Sequence, residues 1–284
     1  MRVVVAGGTG YVGRALVESL AGDGHDVVVV SREPGSGRVG WAEVPEAVDG
    51  ADAVVNLAGA SIGRPRWTEG RKRALRSSRV ETTKRLVEAI SGAGERPAVL
   101  VSASGIDYYG DTGDAVVDES SPPGSSFLAR LCAEWEAAAA AAPVRHVEVR
   151  TAFVVGPDAP ALRLLALPAR FFAGGPAGDG SQWFPWIQLD DLVSVYRRAL
   201  EDESLAGPVN AVAPEQLRQR EVAKELGAVL HRPAAVPTPA AVLRLALGEQ
   251  ADLLLHGQRA VSTKLAGGDF AYPELRPALA AALG

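Results

Sequence analysis

The sequence predicts an α/β protein, a doubly wound parallel sheet carrying a smaller, mainly helical C-terminal lobe. Three observations lead there. Short β-branched runs alternate with longer helical stretches through residues 3–151. A glycine-rich turn, Gly7-Gly8-Thr9-Gly10-Tyr11-Val12-Gly13, joins the first run to the first helical stretch. Beyond Thr151 the alternation gives way to loops, then to helical segments with Pro233, Pro237 and Pro239 between them, where a regular element cannot continue.

Taken in order, residues 3–6, 26–30, 52–57, 98–102 and 147–151 read as strands, apolar enough to be covered on both faces. Parallel neighbours need long crossovers, and residues 11–21, 69–90 and 125–142 supply them as helices. The last takes in the six-alanine run 137–142, alanine being the strongest helix former. Gly156-Pro157, Gly174-Gly175-Pro176 and the aromatic Trp183, Phe184 and Trp186 then mark a loop-rich insertion. Residues 190–200 read as a helix whose acidic first turn suits its dipole, and 208–212 as a last strand. This division places a nucleotide-binding domain at 1–155 and 187–214 and a substrate lobe at 156–186 and 215–284, with two or three helices after Pro214.

At 284 residues the chain can bury a full core, and its 22% of charged residues is that of a globular protein rather than a disordered one. A net charge of −5 offers no general attraction to nucleic acid or to an anionic membrane, so the expected partner is a small molecule. The single cysteine, Cys132, excludes an internal disulfide, and the chain opens directly in a strand-like run. A cytoplasmic location is therefore expected. No apolar run approaches the roughly 18 residues a membrane span needs. His25, His146, His231 and His256 are scattered, and no metal site is expected.

The glycine-rich turn carries the most specific chemistry. Gly8, Gly10 and Gly13 satisfy G-x-G-x-x-G between a strand and a helix, the context in which glycines permit a tight turn and let backbone amides approach a pyrophosphate. Gly7, Thr9, Tyr11 and Val12 belong to the same loop, with the helix N-terminus facing the anion. The second strand ends in Ser31-Arg32-Glu33, where a dinucleotide site meets the adenosine ribose. Arginine there accommodates a 2′-phosphate and argues for NADP; Glu33 at the ribose would instead favour NAD.

These residues resemble the extended short-chain dehydrogenase/reductase superfamily, as do Asn56-Leu57-Ala58-Gly59, Ser102-Ala103-Ser104, Tyr108-Tyr109-Gly110-Asp111, Arg150-Thr151 and Trp186-Ile187-Gln188-Leu189-Asp190-Asp191 in that order. More narrowly the chain looks like the poorly characterised NAD(P)-dependent epimerase-like branch with a small C-terminal domain, through Phe127-Leu128-Ala129, Trp135-Glu136 and Gln182-Trp183-Phe184. The resemblance implies a Rossmann-type domain, with Leu57, Ala58, Gly59 and Ala103 lining the cofactor near the ends of the Ser102 and Thr151 strands.

Against that pattern one element is missing. The superfamily uses a Tyr-x-x-x-Lys pair on a helix, the lysine lowering the tyrosine pKa. Here the residues four places after Tyr11, Tyr108, Tyr109, Tyr196 and Tyr272 are Ala15, Thr112, Gly113, Leu200 and Arg276. Anchored at Glu136, Leu128 and Cys132 occupy the tyrosine and lysine positions, and neither supplies the proton chemistry. Any catalysis must recruit other groups: Ser102 or Ser104 to hold a substrate oxygen, and Tyr108 or Tyr109 as acid. Asp111, Asp114 and Glu119 read as loop charges or turn caps, and Cys132 as a buried small residue.

Arg79 stands where the resemblance expects asparagine and could bind an acidic substrate, or share an exposed face with Lys72 and Arg76. The basic stretch from Arg64 and Arg66 through Arg71 and Arg73 lacks stacking aromatics and reads as a solvated helix face. Trp183 and Trp186 are candidates for a substrate wall, and Asp190 with Asp191 for helix capping rather than metal. The resemblance implies an NADP-dependent, epimerase-like oxidoreductase on a small hydroxyl or carbonyl compound. Its rivals are a catalytically silent dinucleotide sensor and a redox-neutral isomerase or cyclase.

Overall fold

The computed structural model describes residues 1–35, 37–63 and 66–284, so Arg64 of the basic stretch lies outside the described residues. The chain begins β1 (Arg2–Ala6), α1 (Tyr11–Gly22), β2 (Asp26–Val30), β3 (Arg38–Val39), α2 (Val44–Val48), β4 (Ala53–Asn56) and α3 (Glu69–Gly92). It continues β5 (Val99–Gly105), β6 (Val116–Val117), α4 (Phe127–Ala139), β7 (Arg145–Thr151), β8 (Phe153–Val155), α5 (Pro160–Arg170), β9 (Trp186–Gln188), α6 (Leu189–Glu201) and β10 (Gly207–Ala211). The C-terminal part holds α7 (Gln219–Leu230), α8 (Ala240–Leu247), α9 (Asp252–Leu255), β11 (Arg259–Ala260) and α10 (Leu275–Leu283).

Seven parallel strands form one sheet in the order β10-β7-β5-β4-β1-β2-β3, a Rossmann-type doubly wound arrangement. Alternation along each strand sends its side chains to two cores. Val3, Val5, Val55, Val101 and Val149 meet Leu16, Leu20 and Tyr196 on one face, and Val4, Val54 and Leu100 meet Leu86 and Ile90 on the other. Strand order reverses between β1 and β4. Register there sets Ala6 opposite Asn56 and Asn56 opposite Ser102, so the strand ends are level and a crevice opens beyond them.

The crossover helices start where side chains take up orphan amides. Thr68 accepts from the Arg71 amide to begin α3, and Ser126 from the Ala129 amide to begin α4. The alanine run, however, does not stay helical: α4 ends at Ala139, because the chain must turn before Pro143, which disfavours helix in the residue ahead of it. The stretch after Thr151 is also less loop-like than its composition suggests. It holds α5, begun by Pro160, and a two-stranded pairing of β8 with β9. After Pro214 there are four α-helices, α7 to α10, against the two or three expected. α7 and α10 share a third core with Leu162, Ala166 and Trp186. Among the described residues no helix is long and apolar enough to cross a membrane.

Candidate functional site

The crevice is lined first by the loop after β1. Gly7 sits at φ +82°, and a Cβ there would lie 2.6 Å from the Leu57 carbonyl carbon, so this loop rides directly on the loop after β4. A Cβ on Gly13 would come within 2.8 Å of Gly8 Cα and closer still to the Gly7 carbonyl oxygen. Gly10 differs. Its Cβ would meet only the Gly7 carbonyl oxygen, at 3.2 Å, and the residue is exposed, so its missing side chain clears space in front of α1.

Gly10 is also the N-cap of α1 and has no side chain to take up the first-turn amides of Tyr11, Val12 and Gly13. Uncapped donors at the positive end of a 12-residue helix, in a cradle that β-carbons would fill, suit a dinucleotide pyrophosphate. Thr9 is exposed beside them, while Gly8 is buried against Val29 and Val17. The Tyr11 ring is used elsewhere: its hydroxyl donates to the Pro157 carbonyl at 2.8 Å and ties α1 to the loop after β8.

At the end of β2, the Ser31 hydroxyl accepts from the Glu33 amide at 3.2 Å, turning the chain. Arg32 and Glu33 are both exposed, and neither has an ion-pair partner among the described residues. At the end of β4, Asn56 is fully buried. It donates to Thr83 at 2.7 Å and Ser102 at 3.4 Å, and accepts from the Ala58 amide, which fixes the course of Leu57, Ala58 and Gly59. Thr83 in turn accepts from the Trp135 indole at 2.9 Å, joining α3 to α4.

The candidate catalytic hydroxyls fare differently from one another. Ser102 is 1% exposed beneath Asn56. Ser104 is 5% exposed and donates to the Glu136 carboxylate at 2.6 Å. Glu136 also takes both Arg150 Nε and Nη2 at 2.8 Å, and Arg150 donates to the Tyr109 hydroxyl at 2.7 Å. That hydroxyl donates on to the Asp118 carbonyl or Asn210 Oδ1, and burial pushes its pKa up to about 12. Ser104 and Tyr109 thus belong to one buried network through Glu136 and Arg150, and Ser102 to another with Asn56 and Thr83. Tyr108 is half-buried, its ring face 3.5 Å from the Arg150 guanidinium carbon.

Leu128 and Cys132 are both buried on α4, and burial pushes the Cys132 thiol up to about 12. The sequence reading passed over a neighbour, Asp107. Its carboxyl and the Cys132 sulfur lie 3.8 Å and 3.4 Å from where a Cβ on Gly105 would sit. Its place between buried Ile106 and half-buried Tyr108, in the turn that leaves β5, was the available signal. Among the loop carboxylates, Asp111 caps the Gly113 amide, and Asp114 accepts from Trp183 and Arg218. Glu119 is buried and takes Asn210, Ser262 and Thr263.

Arg79 does not share the exposed face. It is half-buried, donates to the Ala60 and Leu75 carbonyls at 3.0 Å and 3.3 Å, and its guanidinium lies over Gly59. Desolvation lowers its pKa, and no carboxylate pairs with it among the described residues. Lys72 and Arg76, by contrast, pair with Glu249 and Glu134. Trp183 is half-buried between the guanidinium groups of Arg218 and Arg259, 4.4 Å and 4.7 Å from the ring centre. Trp186 is a correction: at 0% exposure, with its indole donating to the Glu215 carbonyl, it anchors the core and walls no pocket. The helix cap is also corrected, since Gln188 accepts from the Asp190 and Asp191 amides, and Asp191 instead accepts from Ala271 and Tyr272.

Fold and site together define a dinucleotide-binding α/β protein of the extended short-chain type. The chain belongs to the NAD dependent epimerase/dehydratase family, whose model matches residues 3–211, and a domain of unknown function (DUF1731) matches residues 238–282. It is similar to the epimerase family protein SDR39U1 of Mus musculus, 41% identical over 288 residues and 98% of each chain. It is also similar to the epimerase family protein YfhF of Bacillus subtilis, 33% identical over 98% of this chain and 97% of the other. A crystal structure of human SDR39U1 (isoform 2) with NADPH superposes with a TM-score of 0.94, at 41% identity, covering 99% of this chain and 98% of that one.

Proposed function

We propose that this protein binds NADPH in the crevice at the β1/β4 switch point and acts as an epimerase-like oxidoreductase on a small hydroxyl or carbonyl compound. The carrying observation is the uncapped α1 N-terminus behind the Gly7–Gly13 cradle, with the unpaired Arg32 at the neighbouring strand end. The human relative crystallised with NADPH supports the choice of cofactor. The reading carries with it a cytoplasmic location and the division into a nucleotide-binding part, 1–155 and 187–214, and a substrate lobe.

When bound, the nicotinamide supplies or accepts a hydride. The α1 amides hold the pyrophosphate, and Arg32 with Ser31 meets the 2′-phosphate. Leu57, Ala58, Gly59 and Ala103 wall the cofactor. Arg79, a cation with no carboxylate partner among the described residues, held by two carbonyl oxygens and the Trp135 ring, attracts an anionic group of the substrate, and Tyr108 hydrogen-bonds its reacting oxygen. Trp183, its ring against Arg218 and Arg259, offers the substrate a flat contact on the lobe side.

Calorimetric titration of cofactor-free protein with NADPH and NADH, on wild type and Arg32→Ala, tests this reading. Loss of a charge-assisted phosphate contact of about 1.5–3 kcal/mol weakens NADPH roughly 10- to 150-fold and leaves NADH unchanged. Binding of neither dinucleotide overturns it. A second reading, a cofactor sensor without turnover, is favoured by Leu128 and Cys132 at the tyrosine and lysine positions. It requires a partner whose affinity differs between the free and NADPH-bound forms.

A further inference from the structure

Ser104 and Tyr109 are engaged with Glu136 and Arg150, Ser102 with Asn56, and burial keeps the Cys132 thiol protonated near neutral pH, which leaves the turn Ile106–Tyr109, beside the substrate-holding Tyr108, to supply an acid. We propose that the Asp107 carboxyl group is the proton-transferring group at the nicotinamide end of the crevice. The inference rests on the NADPH-binding reading and names the residue that completes it.

Placement carries the argument. Asp107 lies two residues beyond the last residue of β5, in the single turn Ile106–Tyr109 fixed by the Gly110 amide donating to the Asp107 carbonyl. Its carboxyl oxygen lies 3.8 Å, and the Cys132 sulfur on α4 lies 3.4 Å, from the Gly105 Cβ position, and the two side chains are close enough to interact electrostatically. Asp107 therefore sits beside the helical position where the resemblance expects the lysine, at the strand end where it expects the nicotinamide.

Among the described residues no cation pairs with the carboxyl. Of the charged groups on the elements around it, Arg150 on β7 is spent on Glu136 and Tyr109, and Arg79 on α3 donates to two backbone carbonyls. The titratable group that interacts with it is the Cys132 thiol on α4, which Glu136 and Arg79 also reach, while Tyr108 and Tyr109 share its turn. Half-buried and unpaired, it is pushed up to about 6 by desolvation. A carboxylic acid in that range exchanges protons near neutral pH, as a general acid must.

In the reducing direction, the substrate carbonyl carbon gains the hydride of the reduced nicotinamide dinucleotide, which is thereby oxidised. The carbonyl π bond breaks, and its oxygen takes the proton as the Asp107 O–H bond breaks. The products are an alcohol, the oxidised dinucleotide and a carboxylate that is reprotonated from water. In the oxidising direction the carboxylate accepts the hydroxyl proton.

The test is carbon-13 NMR of the full chain labelled at the aspartate carboxyl carbon, titrated free, with NADP and with NADPH. Asp107→Asn assigns the resonance by its disappearance, and Asp107→Glu does so if the asparagine variant does not fold. We expect a midpoint near 6 in the free protein. It should lie about one pH unit lower with NADP than with NADPH, because the oxidised ring is a cation that favours a nearby carboxylate. Equal midpoints in the two complexes overturn the proposal, as does a carboxyl titrating in the ordinary aspartate range in all three states. Failure of both dinucleotides to bind, visible separately by calorimetry, overturns the cofactor reading and the proposal with it.

Discussion

Substituting Gly13→Ala puts one methyl group where the phosphate loop has no room. The added Cβ would stand 2.8 Å from Gly8 Cα and closer to the Gly7 carbonyl oxygen, and both obstacles are backbone. Relief requires the start of α1 to move away from the loop that it is meant to support. Overpacking of this kind costs about 1–3 kcal/mol, against which alanine returns roughly 0.5–1 kcal/mol of helix propensity. Gly22→Ala, at the other end of the same helix, meets nothing within 4 Å and isolates the propensity gain. In thermal unfolding, at roughly 2–4 °C per kcal/mol for a chain of this size, Gly13→Ala should fall by several degrees and Gly22→Ala should rise by about one to four. NADPH at 100 times its dissociation constant adds about 2.7 kcal/mol to wild type, and most of that increment should vanish in Gly13→Ala alone. A Gly13→Ala protein that keeps the full NADPH increment would refute the assignment of this loop to the phosphates.

Other perturbations follow from the buried groups. Arg150→Met leaves Glu136 without its bidentate partner and should cost about 3–5 kcal/mol in urea denaturation, while Arg150→Met with Glu136→Leu recovers much of the loss. A cost below about 1 kcal/mol for the single variant would show that the network bears little of the stability. Asp107 has its carboxyl raised from 3.8 to about 6 on folding, so its share of stability is full below the lower value and is lost as pH rises through the upper one. Asp107→Asn should therefore gain on wild type between about pH 4 and pH 8, by up to about 3 kcal/mol, and a pH-independent difference would contradict the raised carboxyl.

The parts of this molecule that were legible in the sequence are those decided by neighbours along the chain. The first strand, the glycine turn and α1 are consecutive, and their pattern singles out Gly13 as crowded, whereas the crowding at Gly7 comes from Leu57, a residue of the loop after β4, and Gly10 is nearly free. Ser104 and Tyr109 were legible as hydroxyls near a strand end but not as spent ones, because Glu136 and Arg150 come from α4 and β7. Trp183 and Trp186 look equivalent in sequence. Only the pairing of β9 with β8 turns Trp186 into the core and leaves Trp183 beside Arg218 and Arg259. Asp107 has a weaker signal, its place in the turn that leaves β5, because what distinguishes it, burial beside Cys132 with no cation partner among the described residues, comes from α4.

The carboxylates of Glu119 and Asp191 bear on how the molecule is made. Chains emerge from synthesis N-terminus first, and the sheet from β1 to β7 can pair as it appears. Glu119, however, waits for Ser262 and Thr263, and Asp191 for Ala271 and Tyr272. Until those late residues exist, two anions beside the nascent core are held by water, and the elements bearing them cannot settle without stripping that water away at a cost. A product cut short before residue 262 would leave both carboxylates without these partners, two anchoring points of the finished fold standing open to water.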